Sequence, residues 1–290
     1  MNAGNLQDSV PQPVAVIGSP VGAEAERTEP VPRRRFDPFW LVLGVITGSY
    51  LIFWLGLLGA MTVHSTPHDL WQALQSREIH YSIALSLFSC CLTAVLSVFL
   101  AVPVGYLLSR GRFPGRAWLD AALDVPIVLP PMVVGLCLLI FFQTWTGHLI
   151  ERILPFTYTI AGVVLAQFVI GAAFAVRTMR GTFDHLSSRP EDVALTLGCS
   201  RTRAVWLVTL PAARRGMFAA ASIAWARSLG EFGPILVFAG ATRMKTEVLP
   251  TSVWLELSVG NLEAAIAVSL LMVALATVVL ATVRLMGERL

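Results

Sequence analysis

The feature that most constrains this chain is the recurrence of apolar stretches about 20 residues long. At about 1.5 Å of rise per residue, a helix of that length crosses the roughly 30 Å hydrocarbon core of a bilayer. Of the 290 residues, 56% are apolar and only 13% are charged, whereas about a quarter of an average soluble domain is charged. The composition excludes mature secreted, nucleic-acid-binding and disordered proteins, and it indicates a polytopic membrane protein.

Six apolar blocks predict an all-α fold with six transmembrane helices. Residues 1–35 are instead rich in Pro, Glu and Gly and predict a disordered tail, which leaves 36–290 as the transmembrane domain. Between the first two blocks, a helix-start signal at Thr66 and Pro67 predicts a short interfacial helix. The predicted spans are about 40–62, 82–108, 122–142, 160–178, 217–240 and 264–285.

The basic residues indicate the topology of these spans. Sixteen of the 21 fall in the tail and in alternate connecting segments, four fall in the other segments, and Arg227 lies inside a block. Basic residues in short loops mark the cytoplasmic side. We therefore expect a multi-pass protein of the plasma (inner) membrane with both termini in the cytoplasm.

The segment 179–216 is the longest polar stretch after the tail and is expected to be cytoplasmic. Arg189-Pro190-Glu191-Asp192 places a proline and two acids in a first helical turn, and Gly198 ends the apolar run that follows. Ser200 is a suitable cap for a second short helix that ends at Trp206, and Leu210-Pro211 is expected to restart the chain toward the membrane. This pattern predicts two short helices lying against the inner membrane face.

The same segment carries a spaced motif. Asp192-Val193-Ala194 is followed after three residues by Gly198 and after nine more by Val208-Thr209-Leu210-Pro211. This spacing resembles the EAA loop of ABC-importer membrane subunits, in which Glu-Ala-Ala, Gly and Ile-x-Leu-Pro stand at the same intervals. Asp192, Val193 and Val208 depart from that pattern. The alternative is an ordinary inner loop whose glycine and proline merely end helices.

The resemblance continues in both directions along the chain. The segments 107–116, 124–131, 226–233 and 260–265 are similar to parts of molybdate and sulfate importer permeases. The chain is thereby identified as a member of the type I ABC importer permease family, close to its molybdate/tungstate/sulfate oxyanion group. The resemblance implies a homodimer, two cytoplasmic ABC ATPase subunits and an extracytoplasmic substrate-binding protein, within surrounding membrane lipid. It also implies an ATPase-coupling loop comprising Glu191, Asp192, Val193, Ala194, Gly198, Leu210 and Pro211.

Arg227 and Glu231 are the most unusual residues chemically, because both lie deep in the fifth block. A charge at the bilayer centre costs about 2.5–3.5 kcal/mol on insertion scales, and the i, i+4 spacing allows the two to pair. Gly230 and Gly233 weaken the backbone hydrogen bonding around them. The pair is either a gate in the translocation path or a buried structural ion pair.

Pro126, Pro130 and Pro131 predict a kinked or broken third span, because proline removes a backbone donor. Such breaks often line a translocation path. The alternative is a kink buried among helices. With Arg227, Gly230, Glu231 and Gly233, the three prolines complete the residues we assign to a path or gate.

Other chemistry has little support in the sequence. His64 and His68 have i, i+4 spacing but lack the acidic or cysteine partners of a metal site. The stretch 240–246 reads G-x-x-x-x-K-T, but a phosphate-binding Walker loop needs glycine where Met244 stands. We expect no catalytic residue, no metal and no cofactor in this chain, and no partnership with nucleic acid; ATP is used by the partner subunit.

The sequence thus predicts a permease subunit of an ATP-driven importer that forms the path for an oxyanion. The expected substrate is molybdate or tungstate. The alternatives are a permease for sulfate, thiosulfate or another small solute, and a non-transporting membrane scaffold. A membrane-embedded enzyme would need a convergent set of titratable groups. The six blocks offer almost none beyond Arg227 and Glu231.

Overall fold

A computed structural model describes residues 38–63, 68, 71 and 74–288, and it contains helices but no strand within those ranges. The all-α fold class is confirmed. The predicted tail and most of the predicted interfacial helix lie outside the described residues. The α-helices are α1 (Pro38–Val63), α2 (Arg77–Arg110), α3 (Arg116–Val128), α4 (Pro131–Phe142), α5 (Trp145–Ile153), α6 (Ile160–His185), α7 (Arg189–Thr196), α8 (Arg201–Ala204), α9 (Leu210–Leu229), α10 (Leu249–Val259) and α11 (Leu262–Glu288).

Among these described helices, four are long and apolar enough to cross a membrane: α1, α2, α6 and α11. A fifth candidate arises only if α3 and α4 are taken together, and these two are bent by 110°. The predicted fifth span, 217–240, is divided rather than continuous. It holds the end of α9, a break, and a π-helix at Ile235–Ala239.

The chain separates into two compact units after Trp54. The described part of the first unit is the N-terminal portion of α1, and no residue of α1 is buried. A helix that is apolar on every side requires an apolar environment all around it. A bilayer supplies that environment.

The core of the second unit lies between α2, α6 and α9, which pack closely along small residues. A side chain at Gly105 of α2 would meet the backbone of Arg180 at 2.9 Å, and one at Gly216 of α9 would meet Thr182 at 2.2 Å. In lipid, helices associate through such close backbone approach, because the hydrophobic effect no longer drives them together.

Polar side chains also join these three helices. Gln167 of α6 accepts a hydrogen bond of 3.2 Å from Thr93 of α2 and donates one of 3.3 Å to the carbonyl of Ser228 in α9. Hydrogen bonds between transmembrane helices contribute about 1 kcal/mol each. Gln167 therefore fixes the end of α9 against both neighbours.

The bundle has a loop end and a far end. The loop end carries residues 186–200 and the C-terminal turn of α2, where Arg110 donates to the carbonyl of Leu186 over 2.5 Å. The far end carries residues 143–159 and 240–248, where Tyr81 donates to the carbonyl of Lys245 over 2.9 Å.

Candidate functional site

The first candidate region is a meeting of two chain breaks. The α3–α4 pair bends at Leu129 and Pro130, and the second break occupies residues 230–232 after α9. A Cβ at Gly135 would lie 2.7 Å from the Cα of Pro234, and one at Gly233 would lie 3.0 Å from the backbone nitrogen of Met132. The segments that directly follow the two breaks are thus in close backbone contact, which only glycine permits at these positions.

Arg227 and Glu231 form an ion pair beside these breaks. The Nη1 atom of Arg227 lies 2.7 Å from Oε2 of Glu231, so the predicted pairing is confirmed. The contact lacks hydrogen-bond geometry, since Oε2 is buried and accepts no hydrogen bond from the described residues. Arg227 also lies over the ring of Phe174 at 5.9 Å, a cation–π distance.

The pair is asymmetric in its exposure. The side chain of Glu231 is 2% exposed, whereas that of Arg227 is 30% exposed. The helix α9 ends at Leu229, so Glu231 lies beyond the regular backbone ladder. A buried carboxylate is costly unless it is paired, and Arg227 supplies the charge that compensates it while remaining partly accessible.

Of the remaining residues predicted for the gate, some lie at the contact between the two chain breaks and others lie away from it. Pro130 and Pro131 form the α3–α4 break itself, and Gly233 packs against it. Pro126 lies inside α3, which continues through it to Val128. Gly230 is exposed with a φ of −85°, so its backbone does not require glycine.

Gln167 was not singled out from the sequence, although it holds the carbonyl of Ser228 just before the second break. It lies in the apolar block 160–178, where a single amide is an available signal. Polar residues inside spans usually contact other helices. Its partners come from α2 and α9, which are more than 60 residues away in sequence.

The second candidate region is the polar loop 186–211, and its first helix is confirmed. The helix α7 begins at Arg189 with a proline in its first turn and two acids, Glu191 and Asp192. Gly198 follows it with a φ of +87°, the left-handed conformation that glycine adopts most readily. Ser200 then caps α8 by accepting a hydrogen bond of 3.4 Å from the backbone of Arg203.

The predicted second short helix is wrong in its end point. The chain stays helical from Arg201 to Leu229, through α8, a π-helix at Val205–Thr209, and α9. Proline at Pro211 does not restart the helix as expected. The backbone of Leu210 donates to the carbonyl of Val205, so a widened turn precedes the proline, whose missing N–H is tolerated in the first turn of α9.

Glu191 is the buried acid of the loop, at 8% exposure. Its Oε1 atom accepts a hydrogen bond of 2.5 Å from the hydroxyl of Tyr106 on α2, and its Oε2 atom accepts one of 2.9 Å from Thr209. Asp192, which occupies the acid position of the motif, is exposed. One carboxylate therefore bonds α7 both to α2 and to the helix that leads into α9.

The loop also carries an apolar surface that nothing in the described chain covers. Its members come from α7, the turn after it, and the π-helix, and they are Val193 (56% exposed), Leu197 (80%), Trp206 (67%) and Leu207 (69%). Ala194 is half-buried beside them. We call these four exposed residues the coupling surface. Exposed apolar groups of this size on a polar loop mark an interaction site.

The far end holds charged residues that the sequence reading did not assign. Glu247 is 1% exposed; its Oε1 atom accepts a hydrogen bond of 2.9 Å from Ser252, and its Oε2 atom is buried without a partner among the described residues. Arg243 pairs with Glu78 and with Glu256. These contacts join residues 240–248 to α2 and α10.

Glu151 closes the loop between α5 and α6 at the same end. The hydroxyl and the backbone N–H of Thr157 both donate to its Oε1 atom. These hydrogen bonds favour the charged form and hold the pKa of Glu151 below its ordinary value of 4.5.

Comparison with known proteins agrees with this architecture. Residues 98–290 match the family described as "Binding-protein-dependent transport system inner membrane component". A probable molybdenum ABC transporter permease protein of Haloferax volcanii is 32% identical over 244 residues, which are 84% of this chain and 88% of that protein. A molybdate/tungstate transport system permease protein of Pyrococcus abyssi is 33% identical over 69% of this chain and 78% of its own length. The sulfate transport system permease protein CysT of Escherichia coli is 29% identical over 76% and 80% of the two chains.

Among solved structures, a bacterial ABC transporter involved in the import of alginate has the same fold. Its matched chain superposes with a TM-score of 0.70 at 14% identity, over 87% of this chain and 96% of that one. At this identity the likeness concerns the fold. The family match over two thirds of the sequence and the relative that is 32% identical over 84% of the chain show that the chain belongs to the binding-protein-dependent transport system inner membrane components, as a permease subunit of a type I ABC importer.

Proposed function

We propose that two copies of this chain form the membrane path of an importer for molybdate or tungstate. The observation that carries the substrate is the likeness of 32–33% to permeases named for molybdenum, molybdate or tungstate. A relative named for sulfate transport is 29% identical, which makes sulfate the second candidate. Molybdate, tungstate and sulfate are all tetrahedral dianions, so a path with the same lining passes each of them.

ATP is bound and hydrolysed by two partner ATPases rather than by this subunit. The coupling surface fits that partnership, because exposed apolar groups on a polar loop mark a site of interaction with another protein or with the membrane. Small and apolar side chains at Val193 and Ala194 let α7 seat deeply in a groove. A scaffold that binds no ATPase has no use for this arrangement.

Movement of the coupling surface reaches the membrane by two routes. Glu191 bonds α7 to Tyr106 near the end of α2. The continuous helix from Arg201 to Leu229 ends directly before the second break. Closure of the ATPase pair thus pulls on the segment that carries Arg227 and Glu231, a rigid-body mode of switching.

The path itself runs past the two chain breaks, where the partly exposed Arg227 faces the space between copies. Its pairing with Glu231 lowers its attraction for an anion, so the ion is not held tightly during passage. Selection then rests mainly with the extracytoplasmic binding protein. In this arrangement residues 36–290 form the membrane domain, the loop end faces the cytoplasm with both termini, and the tail 1–35 is dispensable for transport.

The test is reconstitution of the chain with its cognate ATPase and binding protein in proteoliposomes. We expect ATP-dependent uptake of molybdate and tungstate, and competition by sulfate only at higher concentration. Equal uptake of all three would broaden the substrate to oxyanions in general, and preferred uptake of sulfate would overturn the molybdate assignment.

A matched pair of variants tests the coupling surface in the same system. Leu197→Ser removes an apolar side chain that is 80% exposed there, and Leu154→Ser does so at the far end, where Leu154 is 49% exposed. We expect only Leu197→Ser to reduce copurification of the ATPase. Failure of any ATPase to associate with the unmodified chain would refute the importer assignment in favour of a scaffold.

A further inference from the structure

A polar pocket of about 660 Å³ lies at the loop end, apart from the coupling surface and from the chain breaks. It is formed by the last turn of α2, the turn into α3, and the starts of α7 and α8. Its charged lining comprises Arg110, Arg112, Arg116 and Arg201 together with Glu191 and Asp192. The lining therefore carries two net positive charges.

Arg110 shows that this positive charge is not consumed internally. Its Nη2 atom donates to the carbonyl of Leu186 over 2.5 Å, but its Nε atom is buried and has no hydrogen-bond partner among the described residues. A buried donor without an acceptor costs about 1–3 kcal/mol. An external acceptor in the pocket would remove that cost once the Arg110 side chain turned its Nε toward it.

The two carboxylates of the lining form no ion pair with these arginines among the described residues. Glu191 accepts hydrogen bonds from Tyr106 and Thr209, so both of its oxygens are engaged. Asp192 is exposed, as are Arg112 and Arg201, and no ion pair joins Asp192 to an arginine within the described residues. Arg116 donates a long hydrogen bond of 3.5 Å to the carbonyl of Gly111, but none of the four arginines has a carboxylate partner within the described residues.

The pocket lies where an interfacial lipid headgroup would be. Leu107 on its edge is 46% exposed, and Trp118, two residues after Arg116, is 83% exposed. No residue of α3 is buried, and its first turn, which carries Arg116 and Trp118, lies at the loop end of the bundle. Tryptophan is enriched at the headgroup level of membranes.

We propose that this pocket binds a phosphate group, supplied by the headgroup of an anionic lipid in the leaflet on the loop side. Guanidinium groups bind phosphate oxygens through paired hydrogen bonds. The phosphate would accept from Arg110 and draw in Arg112, Arg116 and Arg201. Because Arg201 begins the helix that continues to the second break, the lipid would fasten the end of α2 to that helix.

The experiment uses the full chain, purified with its ATPase, and native mass spectrometry from micelles that contain phosphatidylglycerol and phosphatidylcholine. We expect preferential retention of phosphatidylglycerol. The double variant Arg112→Gln/Arg116→Gln should reduce that retention by at least about fivefold, because one basic residue near an anionic membrane contributes about that factor.

The matched control is Arg203→Gln/Arg215→Gln, which removes the same charge from the same end but outside the pocket lining. It should leave lipid retention unchanged; an equal loss in both double variants would reduce the effect to general surface charge and overturn the proposal. Inorganic phosphate should compete weakly with the lipid. Binding of inorganic phosphate as tight as that of the lipid would assign the pocket to a free anion and overturn the lipid source.

A further outcome separates the lipid from the ATPase. If Arg112→Gln/Arg116→Gln weakens copurification of the ATPase while lipid retention stays constant, the pocket belongs to the protein interface and the proposal fails. Lipid retention does not depend on which oxyanion is transported. Failure of this proposal is therefore distinguishable from failure of the molybdate assignment.

Discussion

Tyr106 donates a 2.5 Å hydrogen bond to Glu191, which joins the end of a long membrane helix to the first turn of the short helix α7. The other oxygen of the same carboxylate accepts from Thr209, the last residue of the π-helix before α9. Because one buried side chain bonds three segments, α7 cannot shift without moving α2 or α9. This bonding supports the proposed transmission of displacement from the loop to the membrane helices.

Glu191→Gln should uncouple ATP hydrolysis from transport without preventing assembly. An amide keeps the shape of the carboxylate, but its NH₂ group cannot accept a hydrogen bond, so one hydroxyl loses its partner. The loss of a hydrogen bond to a charged group, about 1.5–3 kcal/mol, corresponds to a reduction of about tenfold or more in coupled uptake. The measurement is uptake per ATP hydrolysed in proteoliposomes.

Tyr106→Phe should have the same effect, because it removes the other partner of that bond. Tyr81→Phe is the control, since it removes a hydroxyl of the same helix that donates to the Lys245 carbonyl at the far end. Equal uptake per ATP in all three variants would show that the buried bond does not carry the coupling.

The role of Glu191 illustrates how far the sequence could be read. Spacing placed α7, the turn at Gly198 and the cap at Ser200 correctly, because these depend on residues within a few positions of one another. It could not show which of two adjacent acids faces inward, since that depends on Tyr106, 85 positions earlier. The same limit explains why the helix was not expected to continue through Pro211.

Gly198 should tolerate only residues that adopt a left-handed backbone. A Cβ there would meet nothing within 4 Å, and its φ is +87°. Gly198→Val therefore carries a conformational cost of about 1–2 kcal/mol without any clash, and it should lower the amount of ATPase retained on the purified chain. Asparagine reaches this conformation more easily, so Gly198→Asn should retain nearly all of it; equal losses would point away from the turn geometry.

Glu231→Gln should change transport while the complex remains assembled. The substitution removes the charge that faces Arg227 but keeps the side-chain volume in its buried position, so Arg227 becomes free to attract an anion. We expect altered uptake or altered stimulation of the ATPase by loaded binding protein, measured against Glu263→Gln, which changes an exposed acid. Normal uptake would reject a gate, and failure to assemble would identify a structural ion pair.

The sequence predicted the break in the third span but not its contact with the second break. Three prolines predicted a broken third span, and the structure has that break. The match between Gly135 and Pro234 joins positions about 100 residues apart, and nothing in the local pattern of either segment indicates the other. Gln167 escaped notice for the same reason, because its partners lie on α2 and α9.

Gly135→Ala should damage the protein far more than Gly230→Ala. A methyl group at Gly135 would lie 2.7 Å from the backbone of Pro234, whereas one at Gly230 would come no closer than 3.9 Å to the carbonyl of Arg227. Overpacking typically costs about 1–3 kcal/mol, and here it forces the two breaks apart. Uptake and thermal stability in detergent measure the difference; comparable values for both variants would show that the breaks are not in functional contact.

Glu151 should make the far-end loop sensitive to acid. Its pKa lies below the ordinary value because Thr157 donates two hydrogen bonds to the charged form. A depressed pKa contributes stability above the unfolded-state value, and that contribution is lost as the pH falls through the folded-state value. At neutral pH, Glu151→Gln should therefore lower the midpoint of thermal unfolding by about 1–2 °C, a small shift because the loop is solvent-facing.

The difference between Glu151→Gln and the unmodified chain should shrink as the pH falls below the ordinary pKa of a glutamate, and it should vanish only below the lowered pKa of Glu151, where both carry a neutral group. Hydrogen exchange of the amide of Thr157, which donates to Glu151 over 2.9 Å, gives a local readout of the same change. It should accelerate in the variant at neutral pH and in the unmodified chain only in acid. Exchange that is equally slow in both proteins at neutral pH would show that the carboxylate does not hold this loop.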